Sequence, residues 1–133
     1  MKKINLVYIV DDDAIHQLLV KKHLDNTEMI HEYLVFKNGK LAFEDLKSRL
    51  ENNTQIPEII FLDLQMPVWD GWQFLDEFVK LDVSKNIEIF IVTSSVFEND
   101  FKKAEMYNLQ DQYLIKPINT EKLKDCIQKV LED

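Results

Sequence analysis

The sequence has few of the residues that cross-link, break or anchor a chain. It holds one cysteine (Cys126), two glycines and three prolines in 133 residues. A lone cysteine excludes a disulfide within the chain and is typical of a reducing compartment, which predicts a cytoplasmic location. Few glycines and prolines leave little material for a linker, and neither repeats nor low-complexity segments occur. These features predict one domain over residues 1–133.

Long apolar runs and an excess of positive charge are missing as well. No uncharged apolar run approaches the length of a bilayer span, so membrane insertion is not expected. The N-terminal segment has two lysines and a short apolar run, but three aspartates (11–13) stand where a signal peptide would be cleaved. The 16 Lys and Arg residues are outnumbered by 24 Asp and Glu, giving a formal net charge of −8. That charge repels phosphate backbones and argues against direct nucleic-acid binding.

What the sequence does have is a regular apolar pattern. Apolar residues make up 46% of the chain, as in a globular protein. Nearly continuous apolar runs, typical of buried strands, alternate with segments of helical spacing. The predicted strands are 4–10, 31–36, 57–63, 87–92 and 111–115. The predicted helices are 14–25, 38–50, 71–80, 98–107 and 120–131. This βα order, repeated five times, predicts an α/β fold with a parallel sheet, right-handed crossovers and helices on both faces.

Polar side chains follow four of the five predicted strands. Asp11–Asp13 come after the first strand, Asp63 after the third, Thr93–Ser95 after the fourth and Lys116 after the fifth. In open α/β sheets, sites form where the carboxyl ends of the strands meet. The sequence therefore predicts that carboxylates, hydroxyls and one lysine converge at this rim.

The predicted charge at this rim favours a metal ion. Two carboxylates about 4 Å apart repel by roughly 4 kcal/mol at an effective dielectric constant near 20. Asp11, Asp12 and Asp63 would therefore be strained without a cation. A few hard oxygen ligands suit Mg²⁺, and the ammonium of Lys116 suits a phosphoryl oxygen. No histidine or cysteine stands at metal-ligand spacing, so zinc is not expected.

Four motifs at these strand ends resemble those of a known family. They are the pair Asp11–Asp12, the stretch "LDLQMPVWDG" around Asp63, "VTS" at 92–94 and "YLIKP" at 113–117. In this order they resemble the receiver domain of two-component response regulators, of the single-domain, chemotaxis-regulator type. The match covers essentially the whole chain. The resemblance implies a flavodoxin-like (βα)5 fold with strand order 2-1-3-4-5.

The resemblance also implies a role for each site residue. Asp63 would accept a phosphoryl group from a histidine kinase or a histidine phosphotransfer protein. Asp12, Asp63 and the backbone carbonyl of Gln65 would bind Mg²⁺, and Asp11 would reach the metal through water. The Thr93 hydroxyl and Lys116 would contact the phosphoryl group.

The resemblance further implies how the signal leaves the site. Tyr113 would change rotamer together with Thr93. The signal would be read on the α4–β5–α5 face, here residues 98–107, 111–115 and 120–131, by a downstream protein that the sequence does not name. The expected activity is limited to the chain's own phosphorylation and dephosphorylation, and Gln65 and Ser95 would flank the attacking water. The Lys116–Pro117 bond is expected to be cis.

Other functions remain open alternatives. One is a receiver-like interaction module that does not use phosphorylation, although Asp12, Asp63, Thr93 and Lys116 are all present. Another is a phosphatase of the haloacid dehalogenase type, which needs a second aspartate where this chain has Gln65. A flavodoxin-like redox protein is disfavoured because no phosphate-binding loop follows the first strand. Whether the chain stands alone or belongs to a longer protein is also open.

Several residues are expected to have local structural roles. Asp13, Asp70 and Asn119 are predicted helix N-caps, and Asn108 is predicted to adopt a left-handed turn. Gly71 is expected to take backbone angles that other residues avoid. Residues Ile15, Leu18 and Leu19 are predicted to share one side of the first helix. His16, His23 and His31 are expected to be ordinary helix-face or strand-end residues.

Overall fold

The computed structural model describes residues 2–132, so Met1 and Asp133 of the predicted domain lie outside the described residues. The strands are β1 (Ile4–Val10), β2 (Ile30–Phe36), β3 (Ile59–Leu62), β4 (Glu88–Thr93) and β5 (Tyr113–Ile115). The helices are α1 (Ala14–Thr27), α2 (Gly39–Glu51), α3 (Gly71–Phe78), α4 (Glu98–Met106) and α5 (Thr120–Glu132). All strand pairs are parallel and the order is β2-β1-β3-β4-β5, which confirms the predicted fold.

Both faces of the sheet are covered, because side chains of the central strands alternate between two cores. Tyr8 and Val10 of β1 belong to the core beneath α2, α3 and α4. Val7 and Ile9 belong to the core beneath α1 and α5. Strands buried on both faces read as continuous apolar runs, which is why they could be located from sequence. Within residues 2–132, no helix is both long enough and apolar enough to cross a membrane.

Strand ends differ from the prediction where the apolar run extends beyond the paired residues. β3 covers only the middle of the predicted segment 57–63, although Glu58 and Asp63 still donate backbone hydrogen bonds to β1. Residues Gln110–Gln112 form a short 3₁₀ turn, so β5 begins two residues later than predicted. Apolar composition marks a buried segment but does not mark where ladder pairing begins.

Helix α1 is oriented differently from what its apolar pattern suggests. Ile15, Leu18 and Leu19 share a side as predicted, but that side is exposed, at 74%, 66% and 43% respectively. The packed side instead carries residues that include His16, Val20 and Leu24. Larger aliphatic side chains thus face outward, while a histidine faces the sheet next to the carboxyl end of β1.

The predicted helix caps are confirmed. The Asp13 carboxylate accepts the Ile15 N–H at 3.0 Å, and Asp70 and Asn119 accept the backbone N–H three residues further on, both at 2.9 Å. Asn108 has a φ of 61°, so it takes the expected left-handed turn. The Lys116–Pro117 bond is cis, as the resemblance implied.

Candidate functional site

Asp63 stands at the carboxyl end of β3, in the middle of the sheet. Its backbone N–H donates to the carbonyl of Val10 at 2.9 Å, so β1 and β3 deliver their carboxylates side by side. The residue is 6% exposed. Its Oδ1 accepts the N–H of Leu64 at 2.7 Å, and its Oδ2 accepts Lys116 Nζ at 3.0 Å. Both oxygens therefore have fixed donors.

Lys116 ties the two buried carboxylates together. Its backbone N–H donates to the carbonyl of Thr93 at 2.8 Å, which places Lys116 directly after β5. Its Nζ lies 3.0 Å from Asp63 Oδ2 and 3.1 Å from Asp11 Oδ2. One ammonium is thus shared between two carboxylates at the rim, in agreement with the predicted convergence.

Asp11, Asp12 and Asp63 form the group predicted to hold a metal ion. One carboxylate oxygen from each lies within 4.8 Å of the others, and Asp12 is the exposed member. Three carboxylates face the single ammonium of Lys116, so negative charge is in excess. A hard oxygen donor set with one open side fits Mg²⁺. Gln65, whose carbonyl was predicted as a further ligand, is exposed in the loop after β3.

The pKa values follow from burial and from these contacts. Burial raises the pKa of Asp63, and the charge of Asp11 adds to that effect while Lys116 opposes it. Burial would also raise the pKa of Asp11, but hydrogen bonds from His16 and Asp13 N–H, together with Lys116, outweigh burial and lower it. Burial would lower the pKa of Lys116, but its contacts with Asp63 and Asp11 raise it. Asp63 is therefore the buried carboxylate whose negative charge is less favoured, and a nearby cation would stabilise it.

Thr93 and Tyr113, the predicted switch residues, are linked by the segment after β4. Thr93 is buried, and its hydroxyl oxygen accepts the N–H of Ser95 at 3.3 Å. The Tyr113 hydroxyl donates to the carbonyl of Ser95 at 3.1 Å, and its ring centroid lies 4.5 Å from that of Phe101. Thr93 and Tyr113 thus contact the same residue, Ser95.

Ser95 also connects this segment to two helices. Its hydroxyl donates to the carboxylate of Asp100 in α4, and Asp100 accepts the indole N–H of Trp72 in α3 at 3.2 Å. The Trp72 ring stacks on Tyr107 with a centroid distance of 5.8 Å. The residue two positions after Thr93 is therefore held by a polar network that joins α3 and α4.

Gly71 differs from its predicted role. Its φ is not positive, so the expectation of unusual backbone angles is wrong. A Cβ at this position would instead lie 2.5 Å from the backbone oxygen of Asp63 and 2.9 Å from the Cα of Leu64. Glycine is needed because the start of α3 approaches the Asp63 backbone closely. The left-handed residue of this loop is Val68, with a φ of 69°.

His16 is the site residue that sequence reasoning missed. Its Nδ1 lies 2.6 Å from Asp11 Oδ2, and the side chain is buried. The signal available in the sequence was its position in the first turn after the aspartates, on the side of α1 opposite the three large aliphatic residues. That side was not recognised as the packed side.

The fold and motifs agree with those of known proteins. The family model described as the response regulator receiver domain matches residues 7–128. The crystal structure of a two component response regulator from Cytophaga hutchinsonii superposes with a TM-score of 0.87 at 29% identity, covering 99% of this chain and 100% of that one.

Two curated relatives extend the comparison. Response regulator Rcp1 of Synechocystis sp. is 28% identical over 127 residues, covering 94% of this chain and 85% of the relative. The crystal structure of an Mn(2+)-bound form of Rcp1 has a TM-score of 0.73 at 26% identity, covering 94% and 90% of the two chains. The sensor histidine kinase CheAY of Helicobacter pylori is 28% identical over 127 residues, which are 96% of this chain and 15% of that protein. The chain therefore belongs to the receiver domains of two-component response regulators, a family of phosphorylation-dependent signalling switches.

Proposed function

We propose that Asp63 is the phosphoacceptor and that the donor is a histidine kinase or a histidine phosphotransfer protein. The observation that carries this proposal is the buried Asp63 carboxylate, bonded to Lys116 at 3.0 Å and grouped with Asp11 and Asp12. Membership of the receiver domains supports this class of donor, and a segment of similar sequence occurs within a sensor histidine kinase. The proposal extends to one receiver domain over residues 1–133, acting in the cytoplasm.

The reaction needs little covalent help from the protein. An Asp63 carboxylate oxygen forms a bond to phosphorus while the bond between phosphorus and the donor nitrogen breaks, leaving an acyl phosphate and a free histidine. Such transfers depend mainly on positioning and on neutralising charge. The Leu64 N–H orients the carboxylate, and Lys116 moves from bonding a carboxylate to bonding a phosphoryl oxygen. The Thr93 hydroxyl supplies a further donor.

Asp11, Asp12, Asp63 and the Gln65 carbonyl would hold Mg²⁺. When bound, this ion neutralises charge on the transferring phosphoryl group. The excess of carboxylates over ammonium at the rim supports the assignment. The Mn(2+)-bound form of Rcp1 supports a divalent cation in a relative with the same fold. Gln65 and Ser95 would flank the water that later hydrolyses the acyl phosphate.

The phosphorylated state would be read by a downstream protein on the α4–β5–α5 face. Apolar side chains are exposed there, including Met106 on α4 and Ile115 on β5. The phosphoryl group adds negative charge and strong acceptors next to Thr93, and this charge shifts the population between two states of the face. An interaction module that ignores phosphorylation would not need the bonded arrangement of Asp63 and Lys116.

Acetyl phosphate labelling followed by intact-mass measurement tests the proposal. We expect the wild type to gain a phosphoryl group in Mg²⁺ and not in excess chelator. Asp63→Asn should abolish the gain, because an amide is a poor nucleophile. Asp82→Asn, which alters an exposed aspartate in the turn Asp82–Asn86, is the matched control and should label like the wild type. Labelling that persists in Asp63→Asn, or labelling of the wild type that is equally strong in Mg²⁺ and in excess chelator, would overturn the assignment.

A further inference from the structure

Within the described part of the chain, the His16 side chain makes one polar contact, and its partner is the site carboxylate Asp11. The residue lies in the first turn of α1 and its side chain is turned towards the sheet. Its Nδ1 is 2.6 Å from Asp11 Oδ2, while its Nε2 is buried without a hydrogen-bond partner among residues 2–132. Leaving a buried polar atom unpaired is costly, so such a group needs an explanation. The bond between Nδ1 and Asp11 explains why the His16 side chain is buried even though its Nε2 stays unpaired among the described residues.

Asp11 is held at every polar atom of its side chain. Its Oδ1 accepts the backbone N–H of Asp13 at 2.9 Å. Its Oδ2 receives His16 Nδ1 and, at 3.1 Å, Lys116 Nζ. Since an ionised carboxylate only accepts hydrogen bonds, Nδ1 carries the hydrogen in this contact. Without His16, Lys116 would be the remaining side-chain partner of Oδ2 within the described residues.

The start of α1 also holds the backbone of Asp11. The side-chain amide of Gln17 donates to the Asp11 carbonyl. His16 and Gln17 are consecutive, so one turn of helix fixes both the peptide and the carboxylate of Asp11. This turn is itself anchored, because Asp13 caps it through the N–H groups of Ile15 and His16.

We propose that His16 is a positioning residue, which acts through Asp11 and does not touch the phosphoryl group. Its Nδ1–H keeps the Asp11 carboxylate turned towards Lys116 and the cation position, so that Asp11 can reach the ion through water without first reorganising. This role rests on the proposed function, because it needs a cation at Asp11, Asp12 and Asp63. Removing a partner that orients a metal-binding group lowers metal affinity by about 10–100-fold.

Two substitutions of His16, by leucine and by asparagine, test this role, because these two side chains have nearly the same shape as each other. His16→Leu removes the N–H, whereas His16→Asn places a side-chain N–H at the same number of bonds from Cα as Nδ1. We expect the Mg²⁺ dissociation constant, measured by calorimetry on the full chain, to rise about tenfold or more in His16→Leu. His16→Asn should restore most of the affinity. His23→Asn is the control, because His23 is on the same helix but is bonded to Thr120.

Two further measurements separate positioning from packing. Nitrogen-15 spectra of the metal-free wild type should show the hydrogen of His16 on Nδ1, and melting temperatures should fall by similar amounts in His16→Leu and His16→Asn. Acetyl phosphate labelling of His16→Leu should recover at saturating Mg²⁺. Equal Mg²⁺ affinity in the wild type and His16→Leu, or equal weakening in both variants, would overturn the role. A wild type that neither binds Mg²⁺ nor labels would overturn the proposed function itself.

Discussion

Val68 is the β-branched member of the four described non-glycine residues with a positive φ. It has a φ of 69° and lies 66% exposed in the loop between Asp63 and Gly71. A β-branched residue in the left-handed region is a genuine outlier, and such conformations cost about 1–3 kcal/mol. The strain lies in the loop that connects β3 to α3, directly after Asp63.

Replacing Val68 by glycine should therefore stabilise the protein. We expect Val68→Gly to raise the free energy of unfolding by about 1 kcal/mol, because relief of strain exceeds the roughly 0.5–1 kcal/mol of chain entropy that glycine loses on folding. Urea denaturation measures the change. Asn108→Gly is the matched control, since Asn108 has a similar φ of 61° but tolerates it. If Val68→Gly gains no more than Asn108→Gly, Val68 is not strained.

At the scale of elements, the site depends on how closely α3 approaches β3. The Gly71 N–H donates to the Leu64 carbonyl at 3.0 Å, which closes the loop directly behind Asp63. The capping box formed by Asp70 and Gln73 then starts α3 at this point. The helix therefore fixes the backbone from which the Asp63 side chain projects.

A methyl group at Gly71 should damage both stability and chemistry. Its Cβ would lie 2.5 Å from the Asp63 backbone oxygen, so backbone must move. We expect Gly71→Ala to cost about 3 kcal/mol, the upper end for overpacking, and to slow acetyl phosphate labelling of Asp63. Gly39→Ala, at the start of α2, is the comparison, because its closest contact is 3.0 Å and lies away from Asp63. Equal losses of labelling in the two variants would show that the approach to Asp63 is unimportant.

The positions of the strands could be predicted from the sequence, but the way in which the helices pack against them could not. The strands and the rim residues were predictable, because buried runs and polar strand ends are local signals. The strand order came from the family resemblance. The packed side of α1 was not, since Ile15 and Leu18 look like core residues and His16 does not. The role of Gly71 was not predictable for a related reason. The close approach of α3 to the Asp63 backbone depends on contacts between distant segments, whereas a preference for certain φ values belongs to a single residue.

Across the whole molecule, the site is connected to the α4–β5–α5 face through the segment after β4. The Ser95 N–H donates to the Thr93 hydroxyl oxygen, and the Ser95 carbonyl accepts the Tyr113 hydroxyl. The Ser95 hydroxyl donates to Asp100 in α4. If Thr93 shifts towards a phosphoryl group, its hydrogen bond to Ser95 would also move the contacts that Ser95 makes with β5 and α4. Phosphorylation can move this equilibrium only through its different interactions with the two states, and the proposed switch assigns that difference to the Thr93 hydroxyl.

The most direct test of this switch is nuclear magnetic resonance of the backbone amides with beryllofluoride, a phosphoryl mimic, in Mg²⁺. We predict large amide shifts in residues 98–115 of the wild type and none in Asp63→Asn. Thr93→Ala should still accept phosphate at Asp63, because its carboxylate, Leu64 N–H and Lys116 remain, but its shifts in residues 98–115 should be much smaller. Shifts of equal size in the wild type and Thr93→Ala would contradict the account, because the signal would then reach the α4–β5–α5 face without the Thr93 hydroxyl.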